Sequence, residues 1–277
     1  MLTVQWTPLT LPGLVWVGDP TQTASWTLVS STHVSVRPSL VGAASLTQGT
    51  DAQRPTIDAA VTLNGHQTIK FDGAAAAGAG QSLSTTSGGA AGDVDHTIYL
   101  VARCDLLSSI RQSLGFGQVG SSSAVGIYAT GNQFWGGGSG KVNPAGTLPQ
   151  STGAGPAANS IQVDLSLFHV IGKTYTAATT TARLYVDGYL VATRIESYSI
   201  AAGLGFFPHA VNNMGGFHEA YSILATGVHS ATNRRLFEAW ARVRFGSTLG
   251  NAQALPAQVI CCGDSLTNGA GAVPGTS

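Results

Sequence analysis

The sequence predicts a mainly β protein, an antiparallel sandwich of two sheets with one helix near its C-terminal side. Three observations carry that expectation. Short apolar runs recur along most of the chain, separated by glycine, serine and proline, at the spacing of sandwich strands. Helical periodicity is almost absent before residue 231. Asp187-Gly188 sits between two alternating β-rich runs, RLYV and YLVATRI, and supplies the positive φ angles that a tight hairpin turn needs.

Composition bounds what such a chain can do. Its 277 residues suffice for one large domain or two ordinary ones. Only 9% are charged, with 36 glycines, and 43% are apolar, enough to build a core. Ten Arg and three Lys balance ten Asp and three Glu, so the basic stripe that displaces counterions from nucleic acid is missing. No apolar run reaches the roughly 18 residues of a membrane span. The N-terminus lacks a basic n-region and carries Pro8 and Pro12 within its apolar stretch, unlike a signal peptide. Three cysteines do not make a disulfide framework. Cys104 reads as a small buried hydrophobe, and the adjacent Cys261 and Cys262 are badly placed to bridge.

In chain order, strands are expected at 14–17, 68–71, 96–103, 113–119, 124–129, 168–175 and across the hairpin 183–195. The Gly-, Ala- and Ser-rich stretches 73–93 and 131–160 read as solvent-facing loops, and no internal repeat is visible. A helix is expected at 231–245, with Ser230 as N-cap and Gly246 as stop. Leu236, Trp240 and Val243 share one face and are expected to be its buried stripe. Arg234, Arg235, Arg242 and Arg244 would form a solvated face, or less simply meet an anionic partner. The small-residue stretch after Gly246, with Pro256, reads as a linker over 247–256.

Catalytic patterns are sparse. The glutamates Glu196, Glu219 and Glu238 are far apart in sequence, so the closely spaced carboxylates of sandwich glycosidases are missing. His218-Glu219 lacks the second histidine of a zinc helix, and neither GxSxG nor a P-loop occurs. Asp93 and Asp95 read as surface residues or an occasional structural Ca²⁺ contact, and no other cofactor is expected. For ligand binding the candidate is the stretch 128–144. There Phe134 and Trp135 would offer an apolar face to a sugar ring and Asn132 a donor and an acceptor, unless both aromatics plug the core.

Several segments, taken in order, resemble the laminin-G-like, concanavalin A-like jelly-roll modules of bacterial and phage proteins. They are GLVWVGDPTQ at 13–22, SLTQGTDAQRPT at 45–56, LNGHQTIKFDG at 63–73, the strands HTIYLVAR, VGIYA and LYVDGYLVA, and 215–246 as closing strand plus helix. The resemblance implies a jelly-roll sandwich over residues 1–246 whose concave face or edge loops bind carbohydrate or protein. A second segment, VICCGDSLTNGAGA at 259–272, resembles the opening block of the SGNH (GDSL) hydrolases. It implies that 257–277 is the first strand and turn of an α/β hydrolase domain, with Ser265 as nucleophile and Asp264 as a turn residue. The downstream oxyanion residues and Asp-x-x-His pair of that family have no counterpart in the sequence. The domain is thus expected to be incomplete here, and an unassisted serine is a poor nucleophile.

Three functions follow as expectations. The first is a recognition or attachment module carrying an SGNH esterase on a phage virion surface, meeting a surface glycan or a virion structural protein. The second is an extracellular bacterial carbohydrate esterase with an accessory sugar-binding domain. The third is a purely structural decoration protein, with a homo-oligomer left open.

Overall fold

The computed structural model describes residues 6–72, 80–89, 91–104, 111–117, 125–130, 133–138, 166–195, 197–206 and 216–246. The strands are β1 (Leu14–Gly18), β2 (Thr27–Val29), β3 (His33–Pro38), β4 (Ser45–Thr47), β5 (Thr56–Leu63) and β6 (His66–Phe71). They continue with β7 (Leu83–Thr85), β8 (His96–Cys104), β9 (Arg111–Phe116), β10 (Val125–Thr130) and β11 (Gln133–Gly138). Last come β12 (His169–Thr176), β13 (Thr181–Val186), β14 (Tyr189–Ile195), β15 (Leu204–Phe206), β16 (Phe217–Thr226) and the helix α1 (Ala231–Phe245).

Among the described residues these strands form two antiparallel layers. The front layer runs β11-β10-β9-β15-β7-β4-β3, with β2 beside β3. The back layer runs β5-β6-β16-β8-β12-β13-β14. One edge of β16 pairs with β8 along its whole length, while β1 and β6 share the other edge. The layers meet at an edge, where His33 of β3 pairs with Thr56 of β5.

Alternation along the back-layer strands feeds two cores. Ile98, Leu100, Ile171, Leu184 and Leu224 face the front layer and meet Leu46, Leu83 and Phe116 from it. Phe71 stacks between Phe206 at 4.8 Å and Phe217 at 4.7 Å. On the opposite side Tyr99, Val101, Val170 and Ile223 form a second core under α1. The back layer is therefore covered on both faces.

The expected strands and the expected helix are present. Ser230 Oγ accepts from the Asn233 N–H at 3.1 Å, and Gly246 ends the helix at φ 64°. At the hairpin, Asp187 and Gly188 take φ of 51° and 96°. Three expectations are corrected. Within 73–93, Leu83–Thr85 is a strand between β4 and β15, and Gly92 bridges Ile200. Within 131–160, Gln133–Gly138 pairs along β10. A ladder is built from backbone groups, so a glycine-rich strand gives little side-chain signal.

The third correction concerns α1. Its buried stripe is Arg234, Phe237, Ala241 and Phe245, while Leu236 is 38% and Val243 77% exposed. Both sets have helical spacing, and the choice is tertiary: Phe237 stacks on Tyr99 at 4.5 Å, and Trp240 lies over Tyr221 at 4.6 Å. The arginines form a solvated face only in part: Arg235 and Arg242 are exposed, whereas Arg234 is buried and Arg244 partly so. Arg234 pairs with Glu238, Arg242 donates to the Asp187 carbonyl, and Arg244 reaches Asp19, each at 2.8 Å.

Candidate functional site

The loop end of the back layer is where β6 and β8 finish and β12 and β16 begin. There, successive residues of β16 send His218 and Glu219 to opposite faces. Cross-strand register extends each into a row. On the face shared with α1, Lys70 of β6, His218 and Arg103 of β8 lie side by side. On the face toward the front layer the next row is Ile69, Glu219, Ala102 and His169.

The inner row is closed. Arg37 of β3 binds Glu219 bidentately at 2.9 and 3.1 Å, and neither side chain has any solvent exposure. The Arg37 guanidinium lies 4.8 Å from the Trp26 ring centre and 5.3 Å from that of Phe206. Gly18 is required beside it, because a Cβ there would collide with that guanidinium and with Ser222 Oγ. Burial pushes the Glu219 carboxyl up from its ordinary range against the pull of Arg37. His169 is likewise buried, its Nδ1 2.7 Å from Asp187 Oδ2, while Asp187 Oδ1 accepts from the Val170 N–H. One aspartate thus makes the hairpin turn and ties it to β12.

The outer row is held firmly; Lys70 and Arg103 are partly open to solvent, and His218 between them is buried. Asp58 Oδ2 lies 2.9 Å from His218 Nε2, and its Oδ1 accepts from the Ala60 and Val61 N–H groups at a bulge in β5. Burial works to raise the Asp58 pKa. The bonds from His218 and Ala60, with the His218 charge, outweigh it and hold the carboxyl below its usual value. Lys70 Nζ sits 2.8 Å from Asp72 Oδ1, its side chain 33% exposed. Arg103, also half-buried, stacks its guanidinium 5.6 Å from the Phe168 ring centre. Strands lie about 4.8 Å apart, so the three side chains span about 10 Å. Donors fixed in this way on rigid strands suit hydroxyl or carboxylate oxygens.

The residues expected from the sequence fare unevenly. Asn132 and Ser265 lie outside the described residues. Phe134 and Trp135 stand in β11, opposite Ala129 and Tyr128, and so belong to the front layer and not to a loop; their side chains lie outside the described residues. Asp93 and Asp95 are structural connectors. Asp93 accepts from the Tyr175 hydroxyl at 2.6 Å and the Tyr198 N–H, and Asp95 from the Ala177 N–H at 2.7 Å. Among the described residues no three His, Cys, Asp or Glu side chains gather as a metal site. The row itself went unread, although a signal existed: in a chain only 9% charged, Lys70, Arg103 and His218 are ionisable groups inside apolar strand runs.

No family model matches the chain, and no curated protein sequence does. Solved structures do. An arabinofuranosidase complexed with arabinofuranosyl-α-1,2-xylobiose superposes with a TM-score of 0.54 at 13% identity, over 75% of this chain and 50% of the other. The Trypanosoma rangeli sialidase in complex with 2-keto-3-deoxy-D-glycero-D-galacto-2,3-difluoro-nononic acid gives 0.51 at 13% identity, over 85% and 33%. The botulinum neurotoxin serotype G binding domain gives 0.44 at 11%, over 71% and 48%. The chain spans half or less of each of these proteins. The first two likenesses establish a shared β-sandwich fold.

Proposed function

We propose that the sandwich is a carbohydrate-recognition module whose sugar site is the row Lys70, His218 and Arg103. The observation that carries this reading is the row's construction: Lys70 and Arg103 keep partial exposure on the strands either side of a buried His218, each side chain restrained by its own neighbour. Phe168, buried at 5% exposure, backs the Arg103 guanidinium and helps to fix its direction. Recognition is favoured over catalysis because the carboxylates there are committed: Asp58 to His218 and Asp72 to Lys70. Calorimetric titration with neutral and uronate-containing oligosaccharides tests the reading. Arg103→Ala should weaken binding by about tenfold or more without altering the circular dichroism. Undiminished affinity in that variant refutes this site.

A finer reading rests on VICCGDSLTNGAGA at 259–272, which supports a module delivering an SGNH-type esterase with Ser265 as nucleophile. In this reading the protein works outside the bacterial cell or on a virion surface, presenting the esterase to a glycan. Turnover of p-nitrophenyl acetate by a protein extending past Ser277, lost in Ser265→Ala, would support it, and equal turnover in that variant would discard the nucleophile.

A further inference from the structure

The exposed side of α1 is apolar in the wrong direction for a helix that merely covers a sheet. Leu236, Ala239 and Val243 follow one another at i, i+3 and i+7 and all face solvent, Val243 at 77% exposure. Beside this stripe stand Arg235 and Arg242, both exposed. The helix has a single carboxylate, Glu238, and Arg234 holds it at 2.8 Å. Next to the helix lies the β13–β14 hairpin tip, where Leu190 is 53% and Tyr189 38% exposed. Arg242 Nη2 donates to the Asp187 carbonyl at 2.8 Å and Arg234 Nη1 to the Gly188 carbonyl at 3.3 Å, fastening that tip to the helix. The result is a rigid patch with exposed leucine, valine and tyrosine, bordered by arginine and lacking an unengaged helix carboxylate. Arginine and aromatic residues with few acidic groups are the composition of interface cores.

We infer that this face of α1 docks a segment of another protein that carries apolar side chains flanked by Asp or Glu. Charge selects that occupant. A second copy of the chain, packed antiparallel about Ala239, would set Arg235 of each copy against Arg242 of the other with no carboxylate between them. An acidic flank instead answers both arginines while its apolar residues cover Leu236 and Val243. The surface is separate from the Lys70–His218–Arg103 row and does not depend on sugar binding there.

The test is calorimetric titration of the full chain with two synthetic helical peptides. They share leucines at i, i+3 and i+7 and differ only in their flanks, glutamate in one and lysine in the other. The acidic peptide should bind about tenfold tighter or more, weaken as salt is raised, and lose its advantage in Arg235→Glu. Val243→Asp should remove binding of both peptides while leaving the melting midpoint in place, because that side chain lies outside the core. Equal affinity for the two peptides, or unchanged binding in Val243→Asp, overturns the inference. So does a concentration-dependent dimer in sedimentation that Val243→Asp dissociates, because a second copy would then be the occupant.

Discussion

His218 and Glu219 are consecutive residues of one strand, and the half-turn between them divides the protein's polar chemistry in two. Glu219 points into the sandwich and meets Arg37 where neither has any contact with water. His218 points to the helix-side face and joins Lys70 and Arg103, which keep partial access to solvent. The inner pair is packed among aromatic rings with no solvent exposure, out of reach of a ligand. The outer row uses its aspartates and Phe168 to fix its side chains, and leaves Lys70 and Arg103 partly solvated while His218 is buried. Charge in a strand thus means opposite things on the two faces: registration of the layers on one, the proposed sugar site on the other.

The sharpest way to break this contrast is to cut the inner pair. Arg37→Ala leaves Glu219 buried without its cation and should cost about 3–5 kcal/mol, read as a fall in the denaturation midpoint. Replacing both partners with apolar residues, Arg37→Met with Glu219→Leu, should cost far less than Arg37→Ala alone and can be neutral, because no orphan charge remains. If the double variant falls as far as the single one, the pair contributes shape and not compensated charge.

Acidity separates the faces next. The Asp58 carboxyl is held below its unfolded value near 3.9, so it contributes stability that is complete above that pH and is lost as pH falls through its folded pKa. Asp58→Asn should therefore flatten the acid limb of a denaturation profile. Burial shifts Glu219 the other way, so its ionisation works against the fold as pH rises. The histidines supply a third signal. Burial, helped by the Lys173 charge, lowers His96 well below its ordinary value, and burial also lowers His229. The unfolded chain takes up protons near pH 6.5 that these folded rings refuse, so stability should decline as pH drops below about 6.5. A midpoint that is flat between pH 7.5 and 5.5 would contradict this.

The smallest stability effect belongs to the outer row. Arg103→Ala and Lys70→Ala should each cost about 1 kcal/mol or less, since both side chains are partly solvated.

How much of this was legible beforehand follows the same division. Strands with β-branched and aromatic alternation, such as HTIYLVAR, and the Asp-Gly hairpin declared themselves locally. The glycine strand β11 did not, because its ladder rests on backbone groups that every residue carries. The helix ends were readable from Ser230 and Gly246, but its buried stripe was not. Leu236 and Val243 have the right spacing, and only contact with Tyr99 selects Phe237 over them. The candidate row is non-local by construction. Lys70, Arg103 and His218 come from three distant segments, and nothing in any one segment announces the register that aligns them.

The measurement that bears most directly on the division between the two faces is the affinity of the folded chain for acidic and neutral oligosaccharides, taken for the unmodified protein and for Arg103→Ala. The account predicts saturable binding in the first and at least a roughly tenfold weaker isotherm in the second, with melting midpoints that differ little. An affinity that Arg103→Ala leaves unchanged, or no saturable binding to any oligosaccharide tried, would contradict it.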